Sequence, residues 1–395
     1  MSWASVAVGS RGDCGSDAVE PRYAPFSAMR VCLICVEIFA WGKYGGFGRA
    51  TRMLGRELAR RGTEVYAVVP RRRGQAPIEQ LDGITVLGFP MYSPLSMTRL
   101  FRECDADIYH SQHPSFGTYL ALRTLPCRRH IVTFRDPKDY LDWKIEFQNP
   151  SVNRLQVVLN WLYEDWIGVR RAVRQLDGLY STAEYLNDKL KRKYRLNSTL
   201  DTLPTPVKLR RNVVKSTVPT VCCVSRLDRR KRPHLFFELA KQFPHVEFIA
   251  AGQSRDKTWE QQLGERYGNV PNLKLVGFLD QFRSSALSDL LARSWILVNT
   301  AAREGLPTAF LEGLAHQCAI LSHVNPDSVA SRFGYHVAED DFAHGLCVLL
   351  KEDAWREKGE AGYEYVRDNF ELNLVIEKHL AVYQALLGQS VSSAH

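Results

Sequence analysis

Residues 294–323 read SWILVNTAAREGLPTAFLEGLAHQCAILSH and contain a complete strand–helix–strand unit. The apolar run SWILVNT predicts a strand, the segment beginning at Thr308 predicts a helix, and CAILSH predicts the next strand. Pro307 suits the first position of the helix, because its missing N–H needs no partner there. Two strands joined through a helix by short loops are typical of a parallel sheet with helices on its faces.

The same alternation extends along the chain before this unit. The apolar runs RVCLICVEI, TEVYAVVP, ITVLGF, ADIYHSQ, RHIVTFRD, TVCCVSRL, VEFIAAG and NLKLVGF predict further strands, with amphipathic segments between many of them. We therefore predict an α/β fold in which two Rossmann-like doubly wound domains face a cleft. In such sheets ligands bind beyond the carboxyl ends of the strands, so functional residues are expected in the loops that follow the strands.

Three prolines in residues 202–220 interrupt the alternation and predict a linker between the two domains. Met29 opens the first strand, so either Met1 or Met29 is the start of the protein. The predicted divisions are a flexible leader at 1–28, an N-terminal Rossmann-like domain at 29–205, a C-terminal Rossmann-like domain at 206–370, and a helix and tail at 371–395 that cross back to the N-terminal domain.

The composition is that of a globular protein, with 45% hydrophobic and 24% charged residues. No apolar run approaches the ~20 residues of a membrane-spanning helix. Nine cysteines without framework spacing favour a reducing compartment, and we expect a cytoplasmic protein. Cys32 and Cys35 form a CxxC inside a predicted buried strand, which favours structural thiols over a metal or redox site.

Positive charge is concentrated in the N-terminal half. Residues 1–210 hold 31 Lys and Arg against 21 Asp and Glu, whereas residues 211–395 hold 21 against 22, within a total net charge of +9. This asymmetry suits an anionic partner: an inner membrane face with peripheral attachment, a phosphorylated acceptor or nucleic acid. A solvated basic face is the alternative, and the lack of interleaved exposed aromatics argues against nucleic acid.

Two loops in different domains have features of an anion-binding site. Gly45 and Gly46 precede a helix, where small residues let backbone N–H groups approach an anion at the positive helix end. Arg226 and Lys231 follow the strand that opens the second domain, so a planar guanidinium and an ammonium reach one anion from the same loop. A plain tight turn and a solvated charged face are the respective alternatives.

Glu304 and Glu312 flank the start of the helix in the quoted unit. Glu304 lies in the preceding loop and Glu312 about one turn inside, while the amides of Leu306, Thr308 and Ala309 are expected to face an anion at the positive helix end. Two carboxylates on either side of such a site suit the hydroxyls of two sugars flanking a diphosphate. A capped helix with two nearby acids is the alternative.

The segment EGLPTAFLE resembles the E-x7-E motif of the retaining GT-B glycosyltransferases of family 4, also described as glycosyl transferases group 1. Arg226 and Lys231 resemble the basic pair of that family's G-R-L-x-x-x-K-G motif. Gly45-Gly46 is similar to its N-terminal glycine loop, and VGFLD at 276–280 to its strand end beside the nucleotide base. The similarity runs in order from Met29 to Gly388.

The resemblance implies transfer of a hexose from a nucleotide-diphosphate sugar to a glycan, lipid or small-molecule acceptor, with retention and without a metal. The N-terminal domain would bind the acceptor and the C-terminal domain the donor. No cofactor is implied, and the D-x-D-like residues 105–107 enter a strand. The implied residues are Glu304 and Arg135 for catalysis; Gly45, Gly46, Arg226, Lys231, Gly305, Leu306, Pro307, Thr308 and Glu312 for the donor; and His113 and Asp136 on the acceptor side.

Three positions depart from the family pattern. Pro307 replaces a glycine and removes one N–H donor, Thr205-Pro206-Val207 replaces N-G-V at the interdomain crossing, and Arg135 replaces a histidine beside the donor sugar. An arginine binds a hydroxyl or a phosphate but does not act as a base. The alternatives are a nucleotide-sugar epimerase or phosphorylase of the same fold, a non-catalytic member, and a basic nucleic-acid-binding protein.

Overall fold

The computed structural model of the protein describes residues 29–42, 44–150, 153–197 and 200–388. The predicted leader 1–28 and the end of the predicted tail, 389–395, lie outside these described residues. Over the described ranges the chain forms two β-sheets, and each sheet is covered by helices.

The first sheet is formed by the N-terminal half of the chain. Its strands are β1 (Arg30–Ile34), β2 (Glu64–Pro70), β3 (Ile78–Leu81), β4 (Ile84–Phe89), β5 (Ile108–Ser111), β6 (Arg129–Phe134), β7 (Gly178–Ser181) and β8 (Asp201–Thr202). They lie in the order β3-β4-β2-β1-β5-β6-β7-β8, and every pair is parallel except β3 with β4 at one edge. Its helices are α1 (Gly46–Arg60), α2 (Met97–Cys104), α3 (Phe116–Thr124), α4 (Tyr140–Gln148), α5 (Arg154–Asp165), α6 (Ile167–Val173) and α7 (Leu186–Tyr194).

The second sheet is entirely parallel. Its strands are β9 (Thr220–Val224), β10 (Glu247–Ala251), β11 (Leu273–Gly277), β12 (Ile296–Asn299), β13 (Ala319–Ser322) and β14 (Gly334–His336). They lie in the order β11-β10-β9-β12-β13-β14. The helices of this half are α8 (Pro233–Gln242), α9 (Lys257–Tyr267), α10 (Ala286–Arg293), α11 (Thr308–Leu314), α12 (Val329–Arg332), α13 (Phe342–Leu350), α14 (Ala354–Phe370) and α15 (Leu372–Gly388).

The inner strands of the second sheet, β9, β10, β12 and β13, are buried on both faces, which is why they read as continuous apolar runs. Neighbouring residues of β9 enter different cores: Val221 packs in one apolar cluster and Cys222 in another. The same holds in the first sheet, where Val31 and Cys32 of β1 enter separate clusters. Cys32 and Cys35 are buried free thiols, as the strand pattern predicted.

The chain crosses between the two halves twice. The first crossing follows β8, and Val207 in it forms a parallel bridge with Glu371. The second lies between α14 and α15, where Glu371 leaves helical geometry. α15 then packs its buried side chains, including Ile376 and Tyr383, into the core beside β1 of the first sheet. This is the crossing back that the sequence predicted.

The predicted fold, two doubly wound parallel sheets, is confirmed, and several local expectations need correction. Residues 153–174, whose sequence favours one long helix, form two helices, α5 and α6, because Trp166 has an extended ψ of 149°. Pro307 likewise has an extended ψ of 126° and precedes α11, instead of forming its first turn. No helix in the described part of the chain is long and apolar enough to span a membrane.

Candidate active site

The loops that follow β6 and β12 touch where the carboxyl ends of the two sheets face each other. A Cβ added to Gly305 would lie 2.6 Å from the carbonyl oxygen of Arg135, so the two backbones are in close contact. On the same side, a Cβ on Gly46 at the start of α1 would lie 3.4 Å from Thr308 Oγ1 at the start of α11. The structure therefore brings predicted residues from both halves into one cleft.

Lys231 and Glu304 form an ion pair inside this cleft. Both side chains are largely buried, and burial lowers the pKa of Lys231 although the adjacent Glu304 carboxylate acts in the opposite direction. The loop that carries Lys231 is fixed to the β12 loop, because Thr300 Oγ1 donates a 2.7 Å hydrogen bond to the Lys231 carbonyl oxygen. Two residues 73 positions apart in sequence thus lie in direct contact.

Arg226 supplies a second positive charge close to Lys231, and its charge also lowers the Lys231 pKa. Its guanidinium lies 2.6 Å from the carboxylate of Asp228, which is almost completely buried. Asp228 is itself held in place because it accepts a 3.2 Å hydrogen bond from the backbone N–H of Arg255. The predicted pair of cations is therefore present at the end of β9 and is oriented by neighbouring residues.

The start of α1 holds a carboxylate that the sequence analysis did not single out. Glu37, in the loop after β1, accepts a 3.2 Å hydrogen bond from the backbone N–H of Gly48. A Cβ on Gly45 would overlap the Glu37 carboxylate, so a larger residue at this position would displace that side chain. The glycine loop does place an anion at a helix N-terminus, and that anion is a side chain of the protein itself.

Glu312 forms an ion pair with Arg49 of α1 across the cleft. Both residues line a cavity of about 310 Å³ together with Thr308 and Phe282. The crossing segment 205–210 forms another part of its wall. The two predicted donor residues of α11, Thr308 and Glu312, therefore face a cavity to which both halves of the chain contribute.

Aromatic side chains from both halves meet at this end of the cleft. Tyr44 and Phe278 stack with their ring centroids 4.4 Å apart. Phe39 lies 4.9 Å from the Tyr44 ring and 5.3 Å from the Phe282 ring. The guanidinium of Arg52 lies 4.1 Å from the centroid of Phe282. Phe278 belongs to the segment VGFLD, so the predicted base-side strand end does lie at the cleft.

Arg303 is a second residue that the sequence analysis missed. Its guanidinium donates hydrogen bonds of 2.6 and 2.9 Å to the two carboxylate oxygens of Asp136, and one of 2.6 Å to Asp142 of α4. Burial opposes ionisation of Asp136, but the Arg303 charge outweighs it, and the Asp136 pKa lies well below its usual range. Nearby, Arg230 forms an ion pair with Glu146 of α4. Asp136, expected on the acceptor side, is thus engaged in holding the two halves together.

The Arg135 side chain points into the interior of the N-terminal half. Its guanidinium donates hydrogen bonds of 2.9 Å to Thr205 Oγ1 and 2.5 Å to Gln112 Oε1, and burial lowers its pKa to about 10. Its backbone carbonyl lies against the Gly305 loop. Two departures from the family pattern, Arg135 and Thr205, therefore bond to each other.

Two further predicted residues, His113 and Leu306, take part in none of these ion pairs, and the D-x-D-like segment lies away from the cleft. His113 is buried 4.0 Å from Glu164, and burial holds its pKa well below the usual value. Leu306 packs against apolar clusters of both halves. In the D-x-D-like segment, Asp105 pairs with Arg128 at the opposite, amino end of β5. No group of three or more His, Cys, Asp and Glu among the described residues is arranged to hold a metal ion.

Two family models match consecutive parts of the chain: Glycosyltransferase Family 4 at residues 44–211 and Glycosyl transferases group 1 at residues 206–353. A search of curated proteins gave no match.

Solved structures share the fold at low sequence identity. Sucrose-phosphate synthase from Thermosynechococcus elongatus is 14% identical, with a TM-score of 0.71, and the match covers 91% of this chain and 99% of that one. A glycosyltransferase from Rickettsia africae is 15% identical, with a TM-score of 0.65 and coverage of 92% and 100%. HepE from Anabaena, in complex with UDP-glucose, is 12% identical, with a TM-score of 0.66 and coverage of 90% and 100%.

Proposed function

Because the chain belongs to the GT4-type glycosyltransferases and has their GT-B fold, we propose that it transfers a hexose with retention of anomeric configuration and without a metal ion. The donor is a nucleotide-diphosphate sugar, and the acceptor is a carbohydrate or lipid hydroxyl. We assign the donor to the C-terminal domain at 206–370 and the acceptor to the N-terminal domain at 29–205.

The contact between Lys231 and Glu304 is the observation that carries this proposal. A buried ammonium and a buried carboxylate stabilise each other, but a diphosphate offers the ammonium more negative charge than one carboxylate does. When the donor binds, its phosphates replace Glu304 as the partner of Lys231. Glu304 is then free to accept hydrogen bonds from hydroxyls of the donor sugar and to orient its anomeric carbon.

The other residues have complementary roles in the proposal. Arg226 neutralises the diphosphate together with Lys231, and the backbone at Gly46 approaches the same phosphates. Glu312 exchanges Arg49 for the ribose hydroxyls inside the cavity that it lines. Arg135 acts through its carbonyl and the position of its loop, since its guanidinium is bound to Gln112 and Thr205.

The transfer step requires stabilisation of the leaving phosphate and correct placement of the acceptor oxygen at the anomeric carbon. The bond between the anomeric carbon and the diphosphate oxygen breaks, the acceptor oxygen bonds to the same face of that carbon, and the acceptor proton leaves with the nucleoside diphosphate. Fixed positive charge on Lys231 and Arg226 stabilises the negative charge that develops on the leaving phosphate. The donor then needs no metal ion to offset its charge.

A panel of UDP-, GDP- and ADP-sugars tests the proposal, with melting temperature read for binding and product formation for turnover. One donor is expected to raise the melting temperature, because a ligand that binds only the folded state stabilises it. In Lys231→Gln this shift should disappear. Glu304→Gln should still bind the nucleoside diphosphate, while turnover falls by roughly a hundredfold. Turnover of the unaltered protein should survive chelation of divalent metals.

The ion pair between Lys351 and Glu352 supplies matched controls, since both side chains are highly exposed and neither belongs to the residues that form the cleft contacts described above. Lys351→Gln and Glu352→Gln should leave both readouts unchanged. Full turnover in Glu304→Gln and a normal shift in Lys231→Gln would together refute the site. A changed sugar nucleotide formed without any acceptor would instead identify an epimerase, and phosphate-dependent release of the sugar a phosphorylase.

A further inference from the structure

An apolar row lies on the outer face of α5. Leu155, Val158, Leu159 and Leu162 are 67%, 41%, 51% and 45% exposed. Their spacing of three and four residues places them on one face of the helix, where an amphipathic helix normally contacts a core. In α5 the buried positions are only Val157 and Asp165, so the apolar face points away from the protein.

Neighbouring helices extend this row into a larger surface. Soluble proteins rarely expose so many large apolar side chains together unless a partner covers them. We call the group the α4–α6 surface. It consists of the row on α5 together with Tyr140, Leu141 and Phe147 of α4, Trp161 and Trp166 at the end of α5, and Ile167 of α6.

The α4–α6 surface has a rigid base. Asp165, at the end of α5, is almost completely buried and accepts hydrogen bonds of 2.9 and 3.0 Å from Arg170 and one of 3.2 Å from the indole N–H of Trp143. Lys193 of α7 lies 2.9 Å from the same carboxylate. Trp166 packs edge-on against Tyr119 of α3, with ring centroids 5.3 Å apart. Five helices, α3 to α7, are thereby joined beneath the exposed row.

The charges that face outward on these helices are all positive. The four acids of α4 and α5 are turned inward in ion pairs and are no more than 14% exposed: Asp142, Glu146, Glu164 and Asp165. By contrast, Lys144, Arg154 and Arg171 are exposed, as is Arg174 just after α6. The partly exposed acids just outside these helices, Asp139 and Asp177, pair with Lys189 and Arg129. The surface is therefore apolar at its centre, and the unpaired charges around it are basic.

The same helix α4 reaches the cleft from its other face. Asp142 pairs with Arg303, the residue before Glu304. Glu146 pairs with Arg230, the residue before Lys231. The α4–α6 surface thus lies about one helix diameter, roughly 10 Å, from the cleft. It belongs to the N-terminal half, to which we assign the acceptor.

We propose that the α4–α6 surface docks the protein on an anionic lipid bilayer and so brings a membrane-embedded acceptor to the cleft; this acceptor class rests on the proposed function. The apolar row enters the boundary between headgroups and acyl chains, as apolar faces of interfacial helices do. Trp161 and Trp166 suit the depth of the headgroups. The four outward basic side chains bind lipid phosphates.

Charge decides between a bilayer and a second copy of the chain. A two-fold dimer through this surface would place the same patch against itself, so its outward cations would face one another while the acids of α4 and α5 are turned inward. A bilayer with anionic lipids supplies the opposite charge over the whole surface. Lipid therefore fits both the apolar and the charged parts.

Co-sedimentation of the full chain with vesicles tests the proposal. The protein should pellet with phosphatidylcholine vesicles that contain phosphatidylglycerol, more weakly with phosphatidylcholine alone, and more weakly at high salt. The triple variant Leu155→Gln, Leu159→Gln, Leu162→Gln should have a vesicle partition coefficient at least roughly tenfold lower, because three apolar side chains no longer enter the lipid. Glutamine is a good helix former, so α5 itself should persist.

The matched control changes exposed apolar residues elsewhere: Leu275→Gln, Val348→Gln and Leu374→Gln, each 38–40% exposed in the original chain. This control should bind vesicles like the unaltered protein. Equal vesicle binding by the α5 variant and the unaltered protein would overturn the proposal. So would a failure of the unaltered protein to pellet, or a dimer in solution that the α5 variant loses while vesicles are not bound.

The donor melting shift separates the two proposals. The α5 variant should keep the full shift with the nucleotide sugar and should transfer sugar normally to a water-soluble acceptor. Loss of vesicle binding with intact donor binding concerns only the α4–α6 surface. Absence of any nucleotide-sugar shift in the unaltered protein would refute the proposed function, whatever the vesicles show.

Discussion

Asp136 and Arg303 are buried charges that depend on each other for solvation. Two hydrogen bonds join them, and only Asp142 remains as a direct hydrogen-bond partner of Arg303 if the Asp136 carboxylate is removed. Asp136→Asn should therefore lower the free energy of unfolding by about 3 kcal/mol at neutral pH, as is typical when one partner of a buried ion pair is lost. The exposed pair of Arg367 and Asp368 supplies the control, and Asp368→Asn should change stability by less than about 0.5 kcal/mol.

The stability difference between the unaltered protein and Asp136→Asn should depend on pH, because the pKa of Asp136 is depressed in the folded state. The folded carboxylate binds a proton less readily than the unfolded one, so its stabilisation is complete above the unfolded pKa of about 4 and decreases as pH falls towards the folded value. Urea unfolding of both proteins between neutral and acidic pH measures it. The difference between the unaltered protein and Asp136→Asn should be constant above about pH 5 and shrink below pH 4. A difference that grows on acidification would contradict the assignment.

Residue identities at the site were easier to predict from the sequence than residue contacts. Motif spacing identified Lys231 and Glu304, and the structure places them in contact. Spacing carries no information about Arg303, because its partner Asp136 is 167 positions away. Nor does it show that Arg135 bonds to Thr205. A buried guanidinium must find acceptors wherever the tertiary fold supplies them, and only the folded chain shows which they are.

The loop between β12 and α11 depends on a glycine at its closest approach to the N-terminal half. A Cβ at position 305 would come within 2.6 Å of the Arg135 carbonyl oxygen, so the loop has to move. Because Glu304 precedes this glycine, Gly305→Ala should displace the Glu304 carboxylate and reduce kcat/KM by roughly tenfold to a hundredfold, as small misplacements of catalytic groups do. Steady-state kinetics with the best donor measure the effect.

Gly264 of α9 is the matched control, since its Cβ position has open space around it. Gly264→Ala should leave kcat/KM unchanged and raise the free energy of unfolding by about 0.5–1 kcal/mol, the usual gain from replacing glycine inside a helix. Equal kinetics for both alanine variants would show that the contact at Gly305 does not position Glu304.

Secondary structure was predictable where a strand is buried on both faces and less so elsewhere. Apolar runs identified β1, β2, β9, β10 and β12, which are central strands. The edge strands β3 and β14 were missed: β3 is antiparallel, has two polar residues among its four and is buried at none of them, and β14 has only three residues. For a helix such as α5, periodicity alone does not tell which side the apolar face meets. The structure shows that the apolar face of α5 points outward.

At the scale of the whole molecule, side chains and one helix couple the two sheets. Glu312 and Arg49, Glu146 and Arg230, and Asp136 and Arg303 form ion pairs between the halves. In the proposed function the donor replaces one partner in the first of these pairs, so donor binding and the relative position of the halves are linked. The crossing through α14 and α15 is the covalent part of the same coupling, since α14 packs on the second sheet and α15 on the first.

Ile376 tests that coupling because it is fully buried where α15 meets the first sheet. Ile376→Ala removes apolar contacts there and should lower the free energy of unfolding by about 2–4 kcal/mol. Leu374→Ala on the same helix, where the leucine is 39% exposed, should cost less than about 1 kcal/mol. Hydrogen exchange should locate the loss of protection in β1 and α1, with β12 and β13 unchanged, because α15 lies in the core of the first sheet. Loss of protection confined to β12 and β13, or equal costs for the two variants, would mean that α15 does not hold the N-terminal half in place.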